Sequence, residues 1–277
     1  MHEMKKFANG FEYIEFWNET MHAKIALQGA HIFEYKRKNL DDILWLSPRS
    51  DFEYGKAIRG GIPICWPRFG SFDENMPSHG FSRTSLFKFI GVKQLDETNL
   101  QVIFKLIDTQ ESRKIWNYKF ELEVIFTLGS SLKVELITHN RDLKEFLITQ
   151  ALHTYFAVSH IDTVAIYGLE NQPFLDTLED KKSVENHCVK IAKEVDRVYS
   201  AEVKKILLRD ENRELCITSE GSASTVVWNP WIEKGSRMSG MQKSGYKEFV
   251  CIETANAFDD SRVIKPSENY SIVMQVE

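Results

Sequence analysis

The chain has 277 residues, of which 43% are hydrophobic and 12% are aromatic, enough for a large core in one domain spanning residues 1–277. Its net charge of −5, from 40 acidic against 35 basic residues, offers no overall positive field of the kind that favours nucleic-acid binding. No apolar run reaches membrane-spanning length, and residues 1–10 lack the apolar centre of a signal peptide. We therefore expect a soluble cytoplasmic protein that binds neither nucleic acid nor membranes.

Alternation of apolar and polar residues predicts short strands along the whole chain. At 118–127 every second residue is apolar, which indicates a strand with one buried face, and 129–131 predict a turn into a second strand at 132–136. Further strands are predicted at 11–17, 23–27, 31–36, 85–92, 100–107, 146–158, 163–168, 204–209, 214–219, 224–228, 249–254 and 270–276. Helical periodicity is limited to 177–187 and to a turn after Asn229. The pattern predicts an all-β fold, a large antiparallel sandwich closed at its ends by irregular loops.

Residues 57–83 form the most unusual stretch. Their glycines and prolines exclude both an ordinary helix and a central strand, so we expect a rigid loop that presents its polar side chains. These side chains are Arg59, Arg68, His79 and Arg83. Fixed guanidinium groups suit a phosphate, because their charged hydrogen bonds match its oxygens. The alternative is that the arginines pair with acids such as Asp73 and Glu74.

A histidine and a glutamate lie within predicted strands. His153 falls on the polar side of the strand at 146–158, beside Tyr155, where it could line a sugar-sized cleft. Half-buried histidines without a function are common, however. Glu253 lies in the apolar strand at 249–254, where an ionised carboxylate carries a desolvation cost. It should therefore lie at a rim, be paired, or act as a general base with raised proton affinity.

Two further residues could contact a sugar. Asp196 could accept sugar hydroxyls, although an acid at a turn or at the start of a strand is the more common reading. Trp228 begins an aromatic turn at 228–231, and its ring could stack on a pyranose or simply pack in the core.

Several common chemical motifs are absent from the sequence. The four cysteines are scattered without Cys-x-x-Cys spacing, which predicts free thiols. The eight histidines show neither His-x-His nor His-Glu-x-x-His spacing, so no metal site is predicted. Neither Gly-x-Gly-x-x-Gly nor Gly-x-Ser-x-Gly occurs.

Seven motifs, in the same order along the chain, resemble those of the aldose 1-epimerase family, in the branch that acts on hexose 6-phosphates. They are LWLSP at 44–48, AIRGGIPICWP at 57–67, HGFSR at 79–83, LHTYF at 152–156, VDRVY at 195–199, VWNPWIEK at 227–234 and ETAN at 253–256. The resemblance runs from about residue 29 to 266. It implies a galactose-mutarotase-like β-supersandwich.

The resemblance also implies roles for individual residues. His153 matches the catalytic acid of the family and Glu253 its catalytic base. The matching substrate-binding positions are Arg59, His79, Arg83 and Asp196, with the arginines at the phosphate. Arg68, where the family has an aromatic or uncharged residue, and Trp228 are candidate additional ligands. No metal or organic cofactor is expected.

The implied reaction is interconversion of the α and β anomers of a hexose 6-phosphate, with glucose 6-phosphate as the expected substrate. The acid and base would open and close the sugar ring. Two alternatives stay open: a mutarotase of unphosphorylated aldoses, and a sugar-phosphate-binding sandwich without catalysis. We expect a monomer or a weak homo-oligomer.

Overall fold

The computed structural model describes residues 1–71, 75–211 and 213–277. Asp73 and Glu74, the alternative partners of the loop arginines, lie outside the described residues. Antiparallel strands dominate the described chain, which confirms the all-β prediction, and its two α-helices are α1, Gln110–Ile115, and α2, Trp231–Arg237. The strands are β1 His2–Lys6, β2 Glu12–Trp17, β3 Met21–Ala26, β4 His31–Arg37, β5 Ile64–Cys65, β6 Lys88–Gln94, β7 Leu100–Ile107, β8 Phe120–Leu128, β9 Leu132–Asn140, β10 Phe146–Ile148, β11 Gln150–Leu152, β12 Tyr155–Ala157, β13 Ala165–Tyr167, β14 Pro173–Asp176, β15 Lys181–Val184, β16 Val195–Tyr199, β17 Lys205–Arg209, β18 Glu214–Glu220, β19 Ser224–Asn229, β20 Phe249–Asn256, β21 Arg262–Ile264 and β22 Asn269–Val276.

The strands form two large sheets and two small ones. The first eight-stranded sheet has the order β13-β17-β18-β22-β9-β8-β7-β6. The second has the order β15-β14-β16-β19-β20-β11-β5, with β12 also pairing with β20. The smaller sheets are β1-β2-β3-β4 and β10-β21.

The predicted hairpin at 118–136 is confirmed as β8 and β9. Buried and half-buried residues alternate strictly along both strands, so one face of each strand packs into the main core and the other carries polar groups. The register brings Leu128 opposite Leu132 across the predicted turn. The alternation of apolar and polar residues was sufficient to predict this hairpin, because each strand buries only one face.

Strands β19 and β20 have a different environment. Every residue of both strands is buried, because the second large sheet is covered on both faces at its centre. Their register places Val226 opposite Glu253 and Trp228 opposite Cys251. On the other side of β19, Asp196 of β16 lies opposite Trp228. Directly opposed residues share a face of the sheet. The side chains of Asp196, Trp228 and Glu253 therefore project to the same side.

Two predictions need correction. The segment 177–187 is not a helix: it contains the turn and second strand of the β14–β15 hairpin, with Asp176 opposite Lys181. Residues 181–184 pair with β14 instead, and Asp180 in the turn has φ +50°, which is incompatible with a continuous right-handed helix. The predicted strand at 146–158 is three short strands, β10, β11 and β12. The predicted helical turn after Asn229 is confirmed as α2.

All four cysteines are free thiols, as predicted, and two of them, Cys65 and Cys251, are fully buried. Neither α1 nor α2, nor any other helix in the described part of the chain, is long and apolar enough to cross a bilayer.

Candidate active site

A cavity of about 470 Å³ opens over the face of the second large sheet that carries Asp196, Trp228 and Glu253. Described residues of the loop at 57–83 close one side of this cavity, and α2 lies at another. Its size falls in the range usual for small-ligand sites. The predicted site residues that line it are Arg59, His79, Arg83, His153, Asp196, Trp228 and Glu253.

Glu253 is the buried acid of the cavity floor. It lies in mid-strand on β20, and only 1% of the residue is exposed. Burial raises the pKa of the Glu253 carboxyl well above its ordinary value, and the neighbouring Asp196 raises it further. Its Oε2 atom has no hydrogen-bond partner among the described residues. One buried carboxyl oxygen of this cavity-lining residue is therefore left unpaired within the described chain.

His153 lies at the break between β11 and β12, where its backbone N–H donates to the Pro63 carbonyl at 3.0 Å. Its ring stacks on that of Tyr155, with 5.0 Å between centroids and 9° between planes, and meets the Trp228 ring edge-on at 5.6 Å. These aromatic contacts fix the plane of the imidazole. Its Nε2 atom lies 3.4 Å from Oε1 of Glu253.

The surroundings of His153 and Glu253 favour a neutral pair. Burial lowers the pKa of His153 well below its ordinary value, and the charges of Arg83 and Arg59 lower it further. The pKa of Glu253 moves in the opposite direction. Both shifts favour a protonated carboxyl beside a neutral imidazole, so the pair holds one proton. One proton shared between two groups is what a site needs to give a proton at one atom and take one at another.

His79 faces the cavity from the loop, with its ring centroid 5.9 Å from that of His153. Its backbone N–H donates to the Gly70 carbonyl at 2.8 Å, and the Gly70 N–H in turn donates to Nδ1 of His79 at 3.4 Å. Burial lowers the pKa of His79 to about 3, helped by Arg83 and Arg59. The ring is therefore neutral with Nδ1 as acceptor, which leaves the proton on Nε2 as a donor.

Arg59 and Arg83 bring two guanidinium groups to the cavity. Arg59 donates through Nε to the Ser239 carbonyl at 3.4 Å, and Arg83 donates through Nη2 to the Ser78 carbonyl at 2.7 Å. Within residues 1–71, 75–211 and 213–277, neither arginine forms an ion pair with a carboxylate. Both therefore retain charge and donors that could serve an anionic ligand.

Arg68, the third loop arginine, is not brought to the cavity. Its guanidinium donates to the carbonyl of Leu147 in β10. This contact stabilises the loop against the neighbouring sheet and directs the side chain away from the other arginines.

One charged residue of the cavity lining was not among the predicted site residues. Lys234 of α2 lines the cavity, with Nζ 3.8 Å from Oδ2 of Asp196. A lysine in a short surface helix resembles any other solvated lysine. The sequence feature that could have indicated its role is its place at the end of the VWNPWIEK motif, which also contains Trp228.

Comparison with known proteins identifies the family. The sequence profile of the family described as aldose 1-epimerase matches residues 12–277. The chain belongs to the aldose 1-epimerase family. It is 35% identical over 248 residues to an Escherichia coli K12 protein named as a candidate glucose-6-phosphate 1-epimerase, covering 88% of this chain and 82% of that protein. A Cenchrus ciliaris protein with the same name is 34% identical over 262 residues, covering 90% and 78%.

Solved structures of similar proteins share this fold. The crystal structure of YeaD, a candidate mutarotase from Salmonella typhimurium, superposes with a TM-score of 0.93 at 30% identity, covering 99% of this chain and 92% of that chain. A galactose mutarotase related enzyme from Lactobacillus acidophilus gives 0.76 at 14% identity, covering 95% and 96%. The galactose-mutarotase-like fold expected from the motifs is confirmed.

Proposed function

We propose that this protein interconverts the α and β anomers of a hexose 6-phosphate, with glucose 6-phosphate as the expected substrate. The observation that carries the proposal is the His153–Glu253 pair, 3.4 Å apart in a cavity that also holds Arg59 and Arg83. The names of the E. coli and C. ciliaris relatives support the same substrate.

In the proposed reaction, Glu253 and His153 exchange protons with the two oxygens on the anomeric carbon. The shared proton first moves from Glu253 to His153 across the 3.4 Å contact. Glu253, now a carboxylate, takes the proton of the C1 hydroxyl, and the protonated His153 gives one to the ring oxygen. The bond between C1 and the ring oxygen breaks, and the C1 oxygen becomes that of an aldehyde. After rotation about C1–C2, attack on the other face closes the ring with both proton transfers reversed.

The number of protons held by His153 and Glu253 suits this reaction. One proton shared by Glu253 and His153 is enough, because ring opening uses one donor and one acceptor. A positioned acid or base typically contributes about 10² to 10⁴-fold. That range is adequate for a reaction that already proceeds in water.

The rest of the cavity supports a phosphorylated sugar. Arg59 and Arg83 would bind the phosphate with paired charged hydrogen bonds. Asp196 would accept sugar hydroxyls, His79 would donate from Nε2, and Trp228 would contact the sugar ring. A neutral aldose would have little need for two guanidinium groups that lack a carboxylate partner in the described residues, which favours the phosphorylated substrate over the first alternative.

The test is the rate of α/β exchange measured by two-dimensional exchange NMR, in a buffer that does not itself catalyse mutarotation. We expect the protein to accelerate exchange of glucose 6-phosphate and to leave free glucose nearly unchanged. Equal acceleration of free glucose would identify a mutarotase of unphosphorylated aldoses. Unchanged exchange with glucose, galactose and mannose 6-phosphates, together with measurable binding, would leave the non-catalytic sugar-phosphate binder.

A further inference from the structure

Lys234 makes three contacts on one side of the cavity. Its Nζ atom lies 3.1 Å from Oε1 of Glu194 and 3.8 Å from Oδ2 of Asp196. It also lies 5.9 Å from the centroid of the Trp228 ring, within cation–π range. These partners belong to β16, to the segment before it and to β19. Although 39% of the lysine side chain is exposed, these contacts direct its ammonium group towards the cavity side of the sheet.

The backbone that carries Lys234 is anchored by Asn229. The Nδ2 atom of Asn229 donates to the carbonyls of Tyr246 and Phe249 at 2.8 and 2.9 Å, and its Oδ1 accepts from the Trp231 N–H at 2.9 Å. Asn229 is the last residue of β19 and is completely buried. The start of α2 is therefore tied to the same sheet that carries the cavity floor, and Lys234 follows one turn later.

Asp196 lies among acidic groups. The titratable and polar groups that face it are Lys234 of α2, Glu194 before β16, Asp176 of β14 and Thr177 after it, and Cys251 and Glu253 of β20. Within the described chain, Lys234 is the one cation at ion-pair distance from the Asp196 carboxylate. Burial raises the pKa of Asp196, and the Lys234 charge opposes that rise.

We propose that Lys234 is a positioning residue that keeps the Asp196 carboxylate charged and directed into the cavity. The inference rests on the proposed function, in which Asp196 accepts hydrogen bonds from sugar hydroxyls. A charged carboxylate offers only acceptors and forms stronger hydrogen bonds than a protonated one. Lys234 thereby acts on the substrate through Asp196.

The same contact reaches the catalytic base. Asp196 is the one charged neighbour in the described residues that raises the pKa of Glu253 beyond the effect of burial. Keeping Asp196 charged therefore helps to keep a proton on the His153–Glu253 pair. Through Asp196, Lys234 therefore affects both the binding of sugar hydroxyls and the proton affinity of Glu253.

The competing role for Lys234 is direct binding of the phosphate, as a third cation beside Arg59 and Arg83. The two roles predict different couplings. A positioning residue acts only while Asp196 can ionise, whereas a phosphate ligand acts whatever occupies position 196.

The test uses Lys234→Met, Lys234→Arg and, as the matched control, Arg237→Met on the same helix. Arg237 donates to the Glu233 carbonyl at 3.3 Å and does not line the cavity. Each variant is also made in an Asp196→Asn background. The readouts are the carboxyl ¹³C titration of Asp196 and the pH profiles of kcat/KM for glucose 6-phosphate, with circular dichroism confirming the fold.

We expect Lys234→Met to move the Asp196 titration to higher pH and to lower kcat/KM at mildly acidic pH by about tenfold, the effect typical of removing one nearby opposite charge. Lys234→Arg should restore most of this loss, and Arg237→Met should change kcat/KM by less than about twofold, as for a surface charge. In the Asp196→Asn background, Lys234→Met should have little further effect.

An Asp196 titration that is unchanged by Lys234→Met would overturn the inference. So would a full loss in the Asp196→Asn background, especially with KM raised for glucose 6-phosphate but not for glucose, since that result marks a phosphate ligand. The titration needs no turnover. Absence of α/β exchange in the unmodified protein would thus remove the proposed function and leave the Asp196–Lys234 result standing on its own.

Discussion

The side chains of His153 and Glu253 meet because the strands on either side of His153, β11 and β12, both pair with β20, which carries Glu253. Leu152 lies opposite Thr254, and the Ile252 N–H donates to the Thr154 carbonyl at 3.3 Å. The separation of 3.4 Å between imidazole and carboxyl is therefore set by sheet register rather than by flexible side chains. Such a pair is organised before any substrate arrives.

Glu253→Gln should nearly abolish anomer exchange while leaving substrate binding largely intact. The amide keeps the shape of the side chain but cannot take up a proton, so we expect kcat to fall by about 10² to 10⁴-fold. Exchange NMR measures kcat, and calorimetry with glucose 6-phosphate measures Kd. Retention of most of the activity would exclude Glu253 as the base.

Arg83→Gln should raise KM for glucose 6-phosphate by about 10- to 100-fold, because it removes charged hydrogen bonds to the phosphate. Turnover of unphosphorylated glucose, however slow, should not change. Arg68→Gln is the matched control, since Arg68 is not brought to the cavity, and its KM should stay close to that of the unmodified protein. A similar rise for both variants would contradict the assignment of the phosphate site to Arg83.

The buried His31 should make stability depend on pH. It is 1% exposed, and its Nε2 donates to the Gly60 carbonyl at 2.7 Å. Burial lowers the pKa of His31 to about 4 from an unfolded value of 6.5. Because the folded pKa is the lower one, this contribution is fully present above pH 6.5 and is lost as the pH falls towards 4, by up to about 1.4 kcal/mol per pH unit.

The variant His31→Gln should therefore flatten the decline in unfolding free energy between pH 6.5 and 4. Urea unfolding at a series of pH values measures this slope. The exposed His187→Gln is the control and should retain the slope of the unmodified protein. Identical slopes in the two variants would show that His31 ionises in the folded state as it does in the unfolded chain.

Gly80→Ala should destabilise the fold strongly. Gly80 has φ +74°, and a Cβ there would lie 2.0 Å from the Trp66 carbonyl oxygen. Gly10 has φ +85° but no atom within 4 Å of its Cβ position. Gly10→Ala should therefore cost only the conformational penalty, about 1 kcal/mol, and Gly80→Ala should cost several times more. Urea unfolding compares the two, and equal costs would show that the loop adjusts freely around position 80.

Sequence patterns predicted the strands well where one face is buried and poorly at exposed edges. The ends of β7 match the prediction at 100–107, because its burial alternates along its whole length. β15 at the edge of the second large sheet is exposed at all four positions, so no alternation marks it as a strand. Its structure depends on backbone pairing with β14 across the turn, which side-chain alternation does not encode.

Most of the candidate site could be predicted from the family's motifs, and two residues show why the rest could not. Lys234 owes its place to the anchoring of α2 on the sheet, which neither charge nor periodicity encodes. Arg68 lies in the same loop as Arg59, yet its guanidinium group donates to the carbonyl of Leu147 instead of reaching the cavity. The direction in which a loop side chain points depends on tertiary packing, so composition alone could not separate the two arginines.

The division of the cavity between sheet and loop has an evolutionary consequence. The proposed acid–base pair, His153 and Glu253, belongs to paired strands, where a one-residue insertion would move every side chain beyond it to the other face. Arg59, His79 and Arg83 belong to a connecting loop, whose length and composition can vary without disturbing strand register. We therefore expect new substrate preferences to arise in this architecture by exchange of the loop, while the proposed acid–base pair keeps its place on the strands.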